Sequence, residues 1–154
     1  MSDVALLTPY LLDVSVFQKK MGHAYDGPPR LPDPDLALFR LRFLGEELTE
    51  LGKAIGVQVE VTCTATADAT LWANNTRLTA LADALDALCD LDYVLLGTAL
   101  QLGLGPVYDE AWRRVQAANL LKIAGKKSTR GFTKDAVKPV TWTAPDLSDL
   151  VTPA

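Results

Sequence analysis

Histidine is almost missing from this chain: His23 stands alone, and the only cysteines are Cys63 and Cys89. That excludes His-rich zinc sites and CxxC metal or redox motifs. A Ser-His-Asp triad would have to use His23, which lies in a proline-rich stretch. No apolar run approaches the roughly 20 residues of a membrane span, so no membrane is expected as a partner. Positive charge is not in excess: the formal net charge is −4. The chain as a whole is therefore no polyanion binder, and nucleic acid is not an expected partner. Met1-Ser2-Asp3 lacks the basic stretch of a signal peptide, and the formal glycosylation triplet Asn74-Asn75-Thr76 is discounted with it. The expectation is a cytoplasmic protein with reduced thiols. Repeats with a period of roughly 20–50 residues are also absent.

What is present is apolar, helical and acidic. Of the 154 residues, 49% are hydrophobic, enough for one domain spanning residues 1–154. Between residues 39 and 55, Leu41, Leu44, Leu48, Leu51 and Ile55 recur at steps of three and four, which predicts a helix. Glu46, Glu47 and Glu50 fall within about a third of its circumference at roughly 100° per residue. Phe39 and Phe43 precede them on that sector, and Ala54 and Val57 follow, so the acids sit at core-like positions. Carboxylates left uncompensated there are costly. Clustered hard oxygen donors suit Mg²⁺ or Mn²⁺. The alternative is an ordinary solvated acidic face.

The other elements are read the same way. Residues 4–21 form a helix that Pro9 breaks or starts and Gly22 stops. Residues 23–34, with Pro28, Pro29, Pro32 and Pro34, form a loop, after which Asp35 caps the next helix. Val57, Val59 and Val61 alternate with polar residues like a short strand, but without a visible partner strand in the chain, so the segment is either an extended loop or a strand that pairs with a second subunit. Residues 78–103 form a third helix. Leu78, Leu81, Leu85 and Leu88 make its apolar stripe, and Asp83, Asp86 and Asp90 lie within about 60° of one another. Pro106 opens a fourth helix, in which Tyr108, Trp112, Val115, Asn119 and Lys122 share a face. Lys122, Lys126, Lys127, Arg130, Lys134 and Lys138 then make a basic segment, read either as solvated surface or as a phosphate-binding tail. The fold class expected is all-α and four-helix-bundle-like, with an irregular basic tail from residue 123.

In this order the motifs resemble the all-α NTP pyrophosphohydrolases, the superfamily of MazG-like and phosphoribosyl-ATP pyrophosphohydrolase-like proteins. Its EExxE pattern is matched by Glu46-Glu47-Leu48-Thr49-Glu50, and its ExxD by Asp83-Ala84-Leu85-Asp86, with Asp in place of Glu. Asp86-Ala87-Leu88-Cys89-Asp90, Tyr93-Val94 and Gly97 are similar to the phage and bacterial branch. So are the NxxK pair Asn119 and Lys122, the tail Lys138 followed by Pro145-Asp146-Leu147, and the opening segment from Phe17 to Gly22. The resemblance covers roughly residues 10 to 150. Asp83 is one methylene shorter than the usual Glu, and the insert between Glu50 and Asp83 is longer than usual.

The resemblance implies hydrolysis of a (d)NTP to (d)NMP and pyrophosphate, by an α-helical homodimer or homotetramer. It implies two or three Mg²⁺ or Mn²⁺ ions held by Glu46, Glu47, Glu50, Asp83 and Asp86, with Glu46 or Glu47 as the base. Gln18, Asp90, Asn119, Lys122 and Lys138 would contact the substrate. A MazZ-like subgroup of phage proteins, which looks to supply dGMP from dGTP for 2-aminoadenine DNA, suggests a purine substrate and, for a phage protein, the host cytoplasm. A pyrimidine (dUTP or dCTP) pyrophosphatase of the same fold and a non-enzymatic helical oligomerisation module are the alternatives.

Overall fold

A computed structural model describes residues 8–64, 77–125 and 135–151. They contain four α-helices: α1 (Pro9–Met21), α2 (Pro34–Ala54), α3 (Arg77–Gln101) and α4 (Tyr108–Leu120). The all-α class is as expected. Of the described residues, 8–26, 92–125 and 135–151 make one compact unit, and 27–64 with 77–91 make a second. Helix α3 contributes to both.

The helix starts follow from local chemistry. Thr8 caps α1, accepting the Leu11 amide at 3.4 Å, with Pro9 at the first position. Asp33, rather than Asp35, caps α2: its carboxylate accepts the Leu36 amide at 2.8 Å. Pro34 fixes the first helical position, so the cap falls on the residue before it, and Asp35 sits in the first turn, where it complements the positive helix end. Gly22 ends α1 with φ 75°, a left-handed conformation that glycine adopts without a Cβ clash.

In the first unit, α1 and α4 pack side by side. The Tyr10 and Trp112 rings lie 4.5 Å apart between centroids, and the Tyr10 hydroxyl donates to Asp109. The indole Nε1 of Trp112 donates to Asp13 Oδ2 at 2.8 Å, and Gln116 Nε2 donates to the Asp13 carbonyl at 2.8 Å. Further on, Lys20 Nζ donates to the Leu120 carbonyl. The partners advance in the same direction along both helices, so the two run parallel. The Asp109 carboxylate, as hydrogen-bond acceptor, raises the Tyr10 hydroxyl above its ordinary pKa.

The tail is less irregular than its composition predicts. Strands β1 (Ile123–Gly125) and β2 (Asp135–Val137) pair antiparallel, with Ile123 opposite Val137 and Gly125 opposite Asp135. Residues 126–134, which hold Lys126, Lys127, Arg130 and Lys134, lie outside the described residues. Beyond β2, two contacts tie the tail to α4. Trp142 Nε1 donates to the Ala118 carbonyl at 2.7 Å. Arg114 grips Asp149 with both nitrogens, at 2.6 and 2.9 Å, and donates to the Asp146 carbonyl at 2.9 Å. The Arg114 guanidinium holds the Asp149 carboxyl below its ordinary range, and two hydrogen bonds from Ser148 do the same for Asp146.

In the second unit, residues 57–61 are not a strand. Their alternation has another cause: the segment folds back along α2. A Cβ built on Gly52 would lie 2.5 Å from Val59 Cγ2, and one on Gly45 would lie 2.9 Å from Val61 Cγ1. Val59 and Val61 thus face the helix at its two glycines, and the polar residues between them point away. The reversal is closed by the Val57 amide donating to the Gly52 carbonyl at 2.8 Å. A strand needs a hydrogen-bonding neighbour, whereas this segment is held by side-chain packing on a helix.

The leucine stripes are not core in the single chain. Leu48 is 51% exposed and Leu85 64%, whereas Phe39 on the acidic sector of α2 is buried at 6%. Among the described residues no single helix is long and apolar enough to cross a membrane.

Candidate functional site

The acidic helix α2 carries the site. Arg42, Gly45, Glu46, Thr49 and Glu50 recur at steps of three, one, three and one, so they lie on one helical face. That face forms one side of a cleft of about 440 Å³, and Val61 and Cys63 of the folded-back segment complete the lining. The glycine at position 45 is the local reason the cleft has this shape. Without a Cβ there, the Val61 side chain comes down onto the helix between the residues that carry the acids. Thr49 ties its hydroxyl to the Gly45 carbonyl at 2.8 Å, inside the helix.

The glutamates divide. Glu46 is half-buried and Glu50 exposed, and both line the cleft. Glu47 is exposed and is not among the lining residues. Two carboxylates and the Arg42 guanidinium leave the cleft lining with a surplus negative charge, which favours a cation. The oxygen donors fit a hard divalent ion. The cleft supplies only part of a ligand shell: among the described residues, no three His, Cys, Asp or Glu side chains gather into a group that could hold a metal. Asp83, Asp86 and Asp90 share an exposed face of α3 and do not line the cleft.

The remaining candidates belong to the first unit. Gln18 is half-buried in α1, and its carbonyl accepts the His23 amide at 2.8 Å. Asn119, half-buried in the last turn of α4, accepts the Lys122 amide on its carbonyl at 3.0 Å. Lys122 and Lys138 meet at one ring. Their Nζ atoms lie 5.5 and 4.3 Å from the centroid of Trp142.

Four residues at these places escape sequence reasoning. Arg42 stands one helical turn before Glu46, a spacing that marks it as a neighbour. Trp142 has a weaker signal, a large aromatic beyond a basic segment. Gly45 and Gly52 stand two turns apart in an otherwise good helix former, where each costs about 1 kcal/mol against alanine. That pattern signals close approach by another segment but does not say which.

The family model described as phosphoribosyl-ATP pyrophosphohydrolase matches residues 14–119. The matched span takes in the glutamates of α2, the aspartates of α3 and Asn119, and stops short of Lys122, Lys138 and Trp142. Comparison with curated proteins and with solved structures finds no match.

Proposed function

The chain belongs to the phosphoribosyl-ATP pyrophosphohydrolase family, and we propose that it hydrolyses a nucleoside triphosphate at the bond between the α- and β-phosphates. Pyrophosphohydrolase activity on a nucleotide is the family's chemistry, and its members typically depend on a divalent metal. The observation that carries the proposal is the shared cleft of Glu46, Glu50 and Arg42 within the matched span. It offers acids for a cation and a guanidinium for phosphate oxygens side by side. We take the whole chain, residues 1–154, as one such domain, because the matched span is continuous across both units.

In the proposed reaction, water attacks the α-phosphorus, the bond to the bridging oxygen breaks, and pyrophosphate leaves. Glu46 and Glu50 would hold Mg²⁺ or Mn²⁺ in the cleft, with Glu47, Asp83 and Asp86 as the further ligands for a set of two or three ions. Such an ion offsets phosphate charge and lowers the pKa of bound water. Glu46 is favoured over Glu47 as the base because it lines the cleft and is partly shielded from solvent. Arg42 binds phosphate oxygens through charge-assisted hydrogen bonds. Gln18, Asp90, Asn119, Lys122 and Lys138 are proposed substrate contacts, dGTP or GTP the substrate, and the cytoplasm the location.

Pyrophosphate release from a panel of ribo- and deoxyribonucleoside triphosphates with Mg²⁺ tests this. We expect release in one step, without free phosphate, and ¹⁸O from labelled water in the monophosphate. Label in pyrophosphate would mean attack at the β-phosphorus. A clear preference for dUTP or dCTP would discard the purine while keeping the reaction. No release from any nucleotide would favour a helical oligomerisation module.

The exposed stripes of α2 and α3 support a homodimer or homotetramer. Covering an exposed leucine contributes about 1.5–3 kcal/mol per side chain, and Leu41, Leu44, Leu48, Leu85 and Leu88 are all more than 40% exposed. Light scattering at micromolar concentration should give twice or four times the chain mass. A monomer there would refute the assembly.

A further inference from the structure

We propose that Trp142 is a positioning residue for a phosphate clamp: its ring holds the ammonium groups of Lys122 and Lys138 so that together they grip a phosphate chain. The choice of a phosphate chain rests on the nucleotide reading above; the geometry of the ring and lysines does not. Lys122 lies two residues beyond α4 and Lys138 just after β2, four residues before Trp142, so the fold is what brings Lys122 to the ring that Lys138 already neighbours in sequence, at 5.5 and 4.3 Å from its centroid.

The ring is itself fixed. Its Nε1 donates to the Ala118 carbonyl at 2.7 Å, in the last turn of α4. Nearby, Lys20 Nζ donates to the Leu120 carbonyl. The last carbonyls of a helix carry partial negative charge, and here they help hold three lysines around one helix end.

Two ammonium groups at one ring repel each other. The π face offsets part of that repulsion, and a chain of phosphates, with anionic oxygens in succession, offsets more. Free lysine side chains lose considerable rotamer freedom when they bind. Lysines already held against a ring lose less, so Trp142 adds affinity without touching the ligand. Trp142 is thereby distinct from the lysines, which make the contacts.

Titration of the full chain with inorganic tripolyphosphate, without divalent metal or nucleotide, reads the clamp directly. Wild type should bind. Trp142→Leu should bind about tenfold more weakly. Trp142→Phe, which keeps a ring face and loses the N–H, should fall between the two. Lys138→Gln, at an exposed position, should also weaken binding about tenfold, and Lys138→Arg should restore much of it. With nucleotide, Trp142→Leu should raise KM and leave kcat near its wild-type value. Melting curves report whether each variant folds. If Trp142→Leu does not fold, Trp142→Phe and Lys138→Gln carry the test.

Wild type that fails to bind tripolyphosphate would overturn the clamp. So would folded Trp142 and Lys138 variants that bind it as wild type does. Nucleotide hydrolysis with unchanged KM in those variants would overturn the clamp alone. Trp142-dependent tripolyphosphate binding in a chain that hydrolyses no nucleotide would leave the clamp standing and overturn the proposed activity.

Discussion

Glu50→Ala should lower turnover by about two to four orders of magnitude and leave the melting temperature unchanged or slightly raised. A bound cation contributes several kcal/mol to stabilising charge in a phosphoryl transition state, and each ~1.4 kcal/mol is a factor of ten in rate. Glu50 shares its cleft with Glu46. Glu46 and Glu50 stand one helical turn apart, where like charges are at most mildly destabilising, so removing Glu50 costs the fold little while it disables the site. Glu50 is also exposed, so the substitution leaves no cavity. The measurement pairs steady-state pyrophosphate release with melting curves at varied Mg²⁺. Wild type should gain stability with Mg²⁺, and the variant should gain less. Near-normal turnover would remove Glu50 from the site. Glu47→Ala is the informative comparison, because Glu47 does not line the cleft. An equal loss there would show that the ligand set reaches beyond the cleft.

Gly52→Ala should destabilise the protein by up to about 2 kcal/mol, although alanine is the better helix former. The helix gains about 1 kcal/mol from the substitution. Against that, the new Cβ would lie 2.5 Å from Val59 Cγ2 and 2.8 Å from the Val57 carbonyl oxygen. The second contact is backbone, and it belongs to the residue whose amide closes the reversal onto Gly52. Forcing extra volume into such a contact costs about 1–3 kcal/mol, so the clash prevails. At this chain length each kcal/mol is roughly 2–4 °C in Tm.

Gly45→Ala serves as the control. There the closest approach is 2.9 Å to Val61 Cγ1, a side-chain end on a residue 43% exposed. The new Cβ also meets the Val61 Cβ at 3.1 Å, which side-chain rotation does not move, so the segment must give by a few tenths of an ångström; with no backbone atom among its three nearest neighbours, the cost should be smaller than at Gly52 while the cleft that Val61 lines changes shape. A Gly52→Ala variant more stable than wild type would mean that residues 57–59 do not rest on α2.

Helix identity and the acidic cluster of α2 were legible because both depend on neighbours in sequence. Leucines at steps of three and four and glycine at the end of α1 set the four helices, but the prolines mark the starts less well: Pro34, read as loop, is the first residue of α2, and Pro106, read as opening the fourth helix, lies in a 3-10 turn (Gly105–Val107) that precedes α4. Glu46, Glu47 and Glu50 were legible as a cluster for the same reason: spacing on a helix is a local property. The order of the acidic motifs along the chain was enough to point to the family that matches residues 14–119.

Tertiary structure decided what spacing leaves open. Alternation in residues 57–61 records one side turned to a neighbour, and a strand and a segment lying on a helix turn one side to a neighbour alike. Only the approach to Gly45 and Gly52 separates them. The same contact chose Glu46 and Glu50 over Glu47 for the cleft, because it covers one face of α2 and leaves the next open. The acidic sector includes the buried Phe39, whereas the leucine stripes stay exposed; periodicity marks an apolar face without saying which partner covers it. Lys122 lies 16 residues before Lys138 and 20 before Trp142, in a basic tail that composition reads equally as surface or as phosphate-binding. Their meeting at one ring depends on the β1–β2 pairing and on the hydrogen bond from Trp142 to the end of α4. Those are long-range contacts, and no local pattern in the chain encodes them.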